Sequence, residues 1–200
     1  MSLPRWLSRW SLPLALTALC LLLQAAGLVE PLRYERAALQ AGQWWRLLTG
    51  NLVHLGWSHL LMDLAGLWLI WWFFVADLRP AEWAWLLLVS GLAVTGGLYT
   101  FDPHLVWYVG LSGLLHGLLV GGALRVLPRE LPFGVLLLGG VAFKLYWEQT
   151  HGALPGTAAL AGGPVVVDAH LYGALGGALG YALLQAGLLL RRAVIDGDRQ

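Results

Sequence analysis

Charge is what this sequence has least of. Only 12% of its 200 residues are Asp, Glu, Lys or Arg, against about 25% in an ordinary soluble domain, so the chain cannot clothe a surface in water. Its net charge of +1 leaves no basic face, which excludes a reader of nucleic acid. A single cysteine, Cys20, rules out an internal disulfide. The bulky Leu19 just before it argues against a lipoprotein signal. No internal repeat is visible, which weakens an inverted-repeat transporter.

What is plentiful is apolar. Hydrophobic residues make up 58% of the chain and the mean hydropathy is +0.69. Six runs approach the length of a bilayer crossing: Leu12–Val29, Trp57–Ala76, Ala81–Thr100, Leu111–Val126, Leu131–Trp147 and Pro164–Leu190. The first is longer than the apolar core of a signal peptide and has a poor cleavage site at Gln24-Ala25-Ala26, so it reads as a retained helix. The expected fold is an all-α, polytopic bundle of six membrane helices. It forms one domain over 1–200, with a core at 12–190 and a cytoplasmic tail at 191–200.

Lys and Arg set the orientation. An internal N-terminus puts Arg5, Arg9, Arg79, Arg125, Arg129, Arg191, Arg192 and Arg199 on the cytoplasmic side, and Arg33, Arg36 and Arg46 outside, with Lys144 inside a helix. N-in, C-in topology follows, with the long first loop and the Glu148–Gly163 loop facing outward. In a bacterium this means a multi-pass inner-membrane protein. Trp6, Trp10, Trp44, Trp45, Trp57, Trp83, Trp107 and Trp147 sit near predicted ends, as interfacial belts require. The pairs Gly96-Gly97, Gly121-Gly122 and Gly139-Gly140 read as close helix packing.

Ionisable residues inside apolar runs point to function. Ser112 stands in Gly110-Leu111-Ser112-Gly113-Leu114-Leu115-His116-Gly117, ahead of a helix of about 15 residues that is short for a crossing. That helix should start below the outer surface, with Ser112 in its first turn and the positive dipole end aimed at it. The flanking glycines admit a substrate backbone, although the octapeptide also reads as a small-residue packing motif. His170 lies about six residues into the last run, roughly 9 Å deep, in the same outer layer. A neutral imidazole within reach of a serine is the minimum machinery of nucleophilic acyl transfer.

His59 and Asp63 are i,i+4 neighbours. His59 could donate to an oxyanion, whereas Asp63 would have to be protonated or else orient His59 or His54. A structural His–Asp bond explains the pair equally well. His59, Asp63, His116 and His170 are also plausible metal ligands. However, H-E-x-x-H is absent, and so is a Gly-x-Gly-Asp pattern within the runs. The expectation is no metal and no cofactor. Lys144 and Glu148, also i,i+4, read as an ion pair with no catalytic part.

These residues resemble the rhomboid intramembrane serine proteases, from Trp45-Arg46 through Gly177. The resemblance rests on that Trp-Arg pair, His54-x4-His59-x3-Asp63, Gly110-x-Ser112-Gly113 and Ala169-His170-x2-Gly173-x3-Gly177. It implies a Ser112–His170 dyad with no third acid, and an oxyanion hole lined by His59 and the Ser112 N–H. Asp63 departs from the family, where Asn is usual. The extended form through His116-Gly117, the compact size and the Lys144/Glu148 pair are similar to the rhombosortase branch. That branch implies processing of a C-terminal Gly-Gly-type membrane anchor on exported proteins. The implied partners are a single-pass, C-terminally anchored substrate and the lipid bilayer. The helix geometry also keeps His116 open as an alternative base, because an i+4 side chain leans back toward Ser112. Two rival functions are a catalytically inactive rhomboid-like protein that holds membrane clients and a histidine-based metal or haem protein.

Overall fold

A computed structural model describes residues 5–197. Each of the six apolar runs is helical: α1 (Arg5–Ala25), α5 (Trp57–Phe74), α6 (Pro80–Phe101), α7 (Ser112–Val126), α8 (Leu131–His151) and α10 (Val167–Gly197). The first loop contributes the short α2 (Val29–Leu32), β1 (Tyr34–Glu35), α3 (Arg36–Gln40) and α4 (Arg46–Thr49). β2 (Trp107–Tyr108) precedes α7, and α9 (Thr157–Ala161) interrupts the loop after α8. α6, α8 and the Val167–Leu190 stretch of α10 are long and apolar enough to cross a membrane, while Arg9–Ala25 and α7 are shorter apolar helices. The helix of α10 runs on to Gly197, through residues expected to form a tail. Residues 198–200 lie outside the described residues, as do the side chains of Arg5, Trp6, Arg191 and Arg192.

α10 packs on α7 and α6, while α8 leans chiefly on α7 and α10. The main core gathers Leu60, Leu67, Trp71, Phe74, Trp83, Leu86 and Leu118. Trp83, expected at an interface, is instead 1% exposed and stacks on Trp71 at 4.0 Å. Its position near a helix end did not decide its fate, because a large ring in contact with another gains more by burial. Large apolar side chains such as Trp72, Leu136 and Phe143 point outward, as lipid-facing residues do. The glycine pairs also divide. A Cβ at Gly97, Gly121 or Gly122 would strike a neighbouring side chain, whereas Gly139 and Gly140 have nothing within 4 Å, so the expected close packing is absent there.

The first loop is fastened to the segment leading into α7. β1 pairs antiparallel with β2, Tyr34 opposite Tyr108 and Glu35 opposite Trp107. Two arginines do the rest. Arg36 donates to the carbonyls of Leu98, Tyr99, Asp102 and Leu105 at 2.7–3.2 Å, gripping the end of α6 and the turn after it. Buried Arg46 donates to the carbonyls of Glu30 and Arg33 and to Gln43 Oε1. Replacement of Arg36 by Met is therefore expected to cost at least ~2 kcal/mol, because several acceptors lose a charged donor together. Thermal unfolding in detergent measures it.

Candidate active site

α7 begins at Ser112, the first-turn placement expected from its shortness. Three features fix the entry. Gly110 adopts φ +126°, a conformation open to glycine. Its N–H bonds the Gly50 carbonyl, and its own carbonyl accepts the Tyr108 hydroxyl at 2.7 Å. The first helical bond runs from the Leu115 N–H to the Leu111 carbonyl, so the amides of 112–114 have no acceptor within the helix.

α10 begins at Val167, three residues later than the run that predicted it, and His170 stands in its first turn. Ser112 Oγ and His170 Nε2 are 2.9 Å apart. The approach depends on glycine: a Cβ at Gly173 would land on the Gly113 carbonyl, and one at Gly177 on the Gly117 carbonyl. The far side of the imidazole is occupied as well. His170 Nδ1 lies 2.8 Å from Glu148 Oε2, and Glu148 Oε1 accepts from Lys144 Nζ at 2.6 Å. The Lys144–Glu148 ion pair expected from i,i+4 spacing is present, but it also reaches the histidine.

His116 is placed differently. Its Nδ1 is 2.8 Å from the Ser112 backbone carbonyl, an acceptor only, so that nitrogen carries a proton and donates. The ring stacks on His170 at 4.3 Å, and the hydrogen bond of the Ser112 hydroxyl goes to His170 instead. His116, Glu148 and His170 offer donor atoms within 4.8 Å of one another, whereas His59 and Asp63, the other two proposed metal ligands, belong to a separate cluster. In the first group each imidazole already has a polar partner, His116 on the Ser112 carbonyl and His170 on Ser112 Oγ and Glu148.

His59, 7% exposed, accepts the Leu55 N–H at Nδ1 over 3.4 Å. Its proton is therefore on Nε2, close beneath Gly110, where an added Cβ would meet that atom at 3.0 Å. Asp63 Oδ2 accepts the Leu111 N–H at 2.8 Å and lies 3.3 Å from His54 Nε2 and 3.4 Å from His59 Nε2. That oxygen is an acceptor tying α5 to the turn before Ser112. All three contacts fall on one oxygen, so an Asn amide oxygen could replace it. Asp63→Asn is expected to leave Ser112 reactivity within about threefold, while Asp63→Leu lowers stability by ~1–3 kcal/mol through the stranded Leu111 N–H. Labelling rate and thermal unfolding report the two effects.

A cavity of about 630 Å³ opens onto this cluster. Ser112, His59, Asp63, His116, Lys144, Glu148 and His170 reach its wall, as do Thr157 and Ala161 of α9; His54 and Gly110 stand behind it. His151, read as a residue that could hang over such a cavity, stacks instead on Trp147 and is not part of the lining. Tyr108 escaped the sequence reading, as did the contact of Glu148 with His170. Glu148 had a usable signal, since it lies as near the C-terminal end of α8 as His170 does to the N-terminal end of α10.

A family model for the rhomboid domain matches residues 41–186. The chain belongs to the rhomboid family. Rhomboid proteins are in general intramembrane serine proteases, and the apolar helices here agree with a multi-pass membrane protein. The chain is also 39% identical over 80 residues to a protein of Bacillus subtilis (strain 168) named "Putative rhomboid protease YdcA". That match spans 38% of this chain and 39% of the relative.

Proposed function

We propose that this rhomboid-family chain is an intramembrane serine endopeptidase in which Ser112 is the nucleophile and His170 the base. The observation that carries the reading is the 2.9 Å contact between Ser112 Oγ and His170 Nε2 at the wall of an apolar cavity. Oγ attacks the scissile carbonyl as its proton passes to Nε2, and the carbonyl electron pair becomes an oxyanion. The Ser112 amide and His59 Nε2–H are the donors for that charge. The C–N bond then breaks, the amine leaves with the proton from Nε2, and water reverses the sequence on the acyl-enzyme.

The bond cut lies near the outer end of a substrate's membrane helix, with the site opening to the periplasmic side of a bacterial inner membrane. The substrate class we propose is that of rhombosortases: exported proteins held by one C-terminal membrane anchor with a Gly-Gly-type motif. The test is a fluorophosphonate probe on purified protein, followed by comparison of C-termini in membrane and secreted proteomes with and without Ser112. Ser112-dependent labelling and new C-termini beside an anchor are expected. A client-holding protein would show neither, and a metal or haem protein would reveal itself by metal content or optical absorption instead.

A further inference from the structure

Glu148 is a buried carboxylate that a two-residue serine–histidine mechanism leaves without a task. Its side chain is 1% exposed, beside a His170 side chain 6% exposed. It receives two partners, one on each oxygen: His170 Nδ1 at 2.8 Å and Lys144 Nζ at 2.6 Å. Lys144 Nζ itself lies 3.3 Å from His170 Nδ1. Three helices thus converge on one imidazole, α7 through Ser112, α10 through His170 and α8 through the Lys144–Glu148 pair.

We propose that Glu148 is a positioning residue that completes a Ser112–His170–Glu148 relay, and that Lys144 holds its charge in place. The proposal rests on the reading of Ser112 and His170 given above. A neutral imidazole has one proton to place, and only the tautomer with that proton on Nδ1 leaves Nε2 free to take the proton of Ser112. An ionised carboxylate can only accept, so Glu148 at 2.8 Å selects that tautomer. When Oγ attacks, the Oγ–H bond breaks and an Nε2–H bond forms, leaving an imidazolium in a water-poor layer. The adjacent carboxylate stabilises that cation without itself becoming protonated, as the acid of a serine-protease triad does. A bare carboxylate there would be costly before the attack, and Lys144 supplies the countercharge. The resting trio is Lys⁺, Glu⁻ and neutral His, and the proton gained in the transition state is offset by the oxyanion.

Lys144 makes the arrangement testable in a way that a structural ion pair is not. Without the carboxylate, the ammonium 3.3 Å from Nδ1 becomes the nearest donor. It would hold His170 in the opposite tautomer, with Nε2 protonated and unable to act as base. Glu148→Gln is therefore expected to lower the rate of fluorophosphonate labelling and kcat by about 10³-fold or more, on the scale of a wrong-tautomer substitution, with KM little changed. Glu148→Asp should recover part of that loss. The double variant Lys144→Met/Glu148→Gln should be faster than Glu148→Gln alone, because the misdirecting donor is gone.

In the unaltered protein, ¹⁵N-histidine spectra at neutral pH should show His170 protonated at Nδ1. Labelling of Glu148→Gln at close to the parent rate, or an Nε2-protonated His170 in the parent, overturns the proposal while leaving Ser112 and His170 in place. A parent protein that shows no Ser112-dependent labelling overturns the underlying hydrolase reading instead. Should Glu148→Gln fail to fold, the parent spectrum and the Asp variant decide.

Discussion

Exchange of His170 for alanine is expected to cut peptide hydrolysis by on the order of 10⁴-fold or more, and exchange of Ser112 to do the same. Combining them should add almost nothing further, because residues that act as one unit lose their whole contribution when either is removed. His116→Ala should keep turnover within about tenfold. The contrast follows from what each imidazole touches. His170 presents Nε2 to the Ser112 hydroxyl at 2.9 Å, whereas His116 spends Nδ1 on the Ser112 carbonyl at 2.8 Å and lays its ring on His170. The lean of an i+4 side chain toward Ser112 is real, but it ends at the backbone and not at the nucleophile. Cleavage of a reconstituted, membrane-anchored reporter, with probe labelling alongside, measures all four variants. Full activity in His170→Ala with loss in His116→Ala would move the base onto α7.

The long helices were legible because a bilayer demands apolar runs of fixed length, and Ser112 and His170 because polar groups in such runs stand out against them. The interior of the site was not. Glu148 lies near the C-terminal end of α8, where its i,i+4 spacing from Lys144 already accounted for its charge. Only the three-dimensional meeting of α8 with α10 reveals that its second oxygen faces His170. Asp63 was visible by spacing, but its role depends on the Leu111 amide 48 residues away, a partner that no local pattern specifies. Arg36 and Arg46 counted in the sequence as charges that orient the chain. The structure uses them to bind carbonyls, Arg36 joining the first loop to the end of α6 and Arg46 joining two parts of that loop. Trp83 and the Gly139-Gly140 pair misled for the same reason: residue type suggested a contact, and the helix rotation that decides it is set by packing elsewhere.

Gly173 is the residue where the fold and the reaction depend on the same close approach of α7 and α10. Gly173→Ala is expected to lower stability by on the order of 3 kcal/mol and to abolish probe labelling in whatever protein remains folded. The added methyl meets backbone first, and moving the Val94 side chain would not relieve it. It would sit on the Gly113 carbonyl, one residue from the nucleophile, so relief requires α7 and α10 to separate or rotate as rigid bodies. Those helices carry Ser112 and His170, and a shift of about 1 Å between reacting groups is enough to cost 10²-fold in rate. Gly139→Ala is the matched control. It makes the same chemical change on α8 with nothing within 4 Å of the new atom, and should be neutral or stabilise by up to ~1 kcal/mol through helix propensity. Thermal unfolding in detergent together with labelling separates the two. Equal behaviour of the two variants would mean that the α7–α10 contact is not as close as the 2.9 Å Ser112–His170 contact requires.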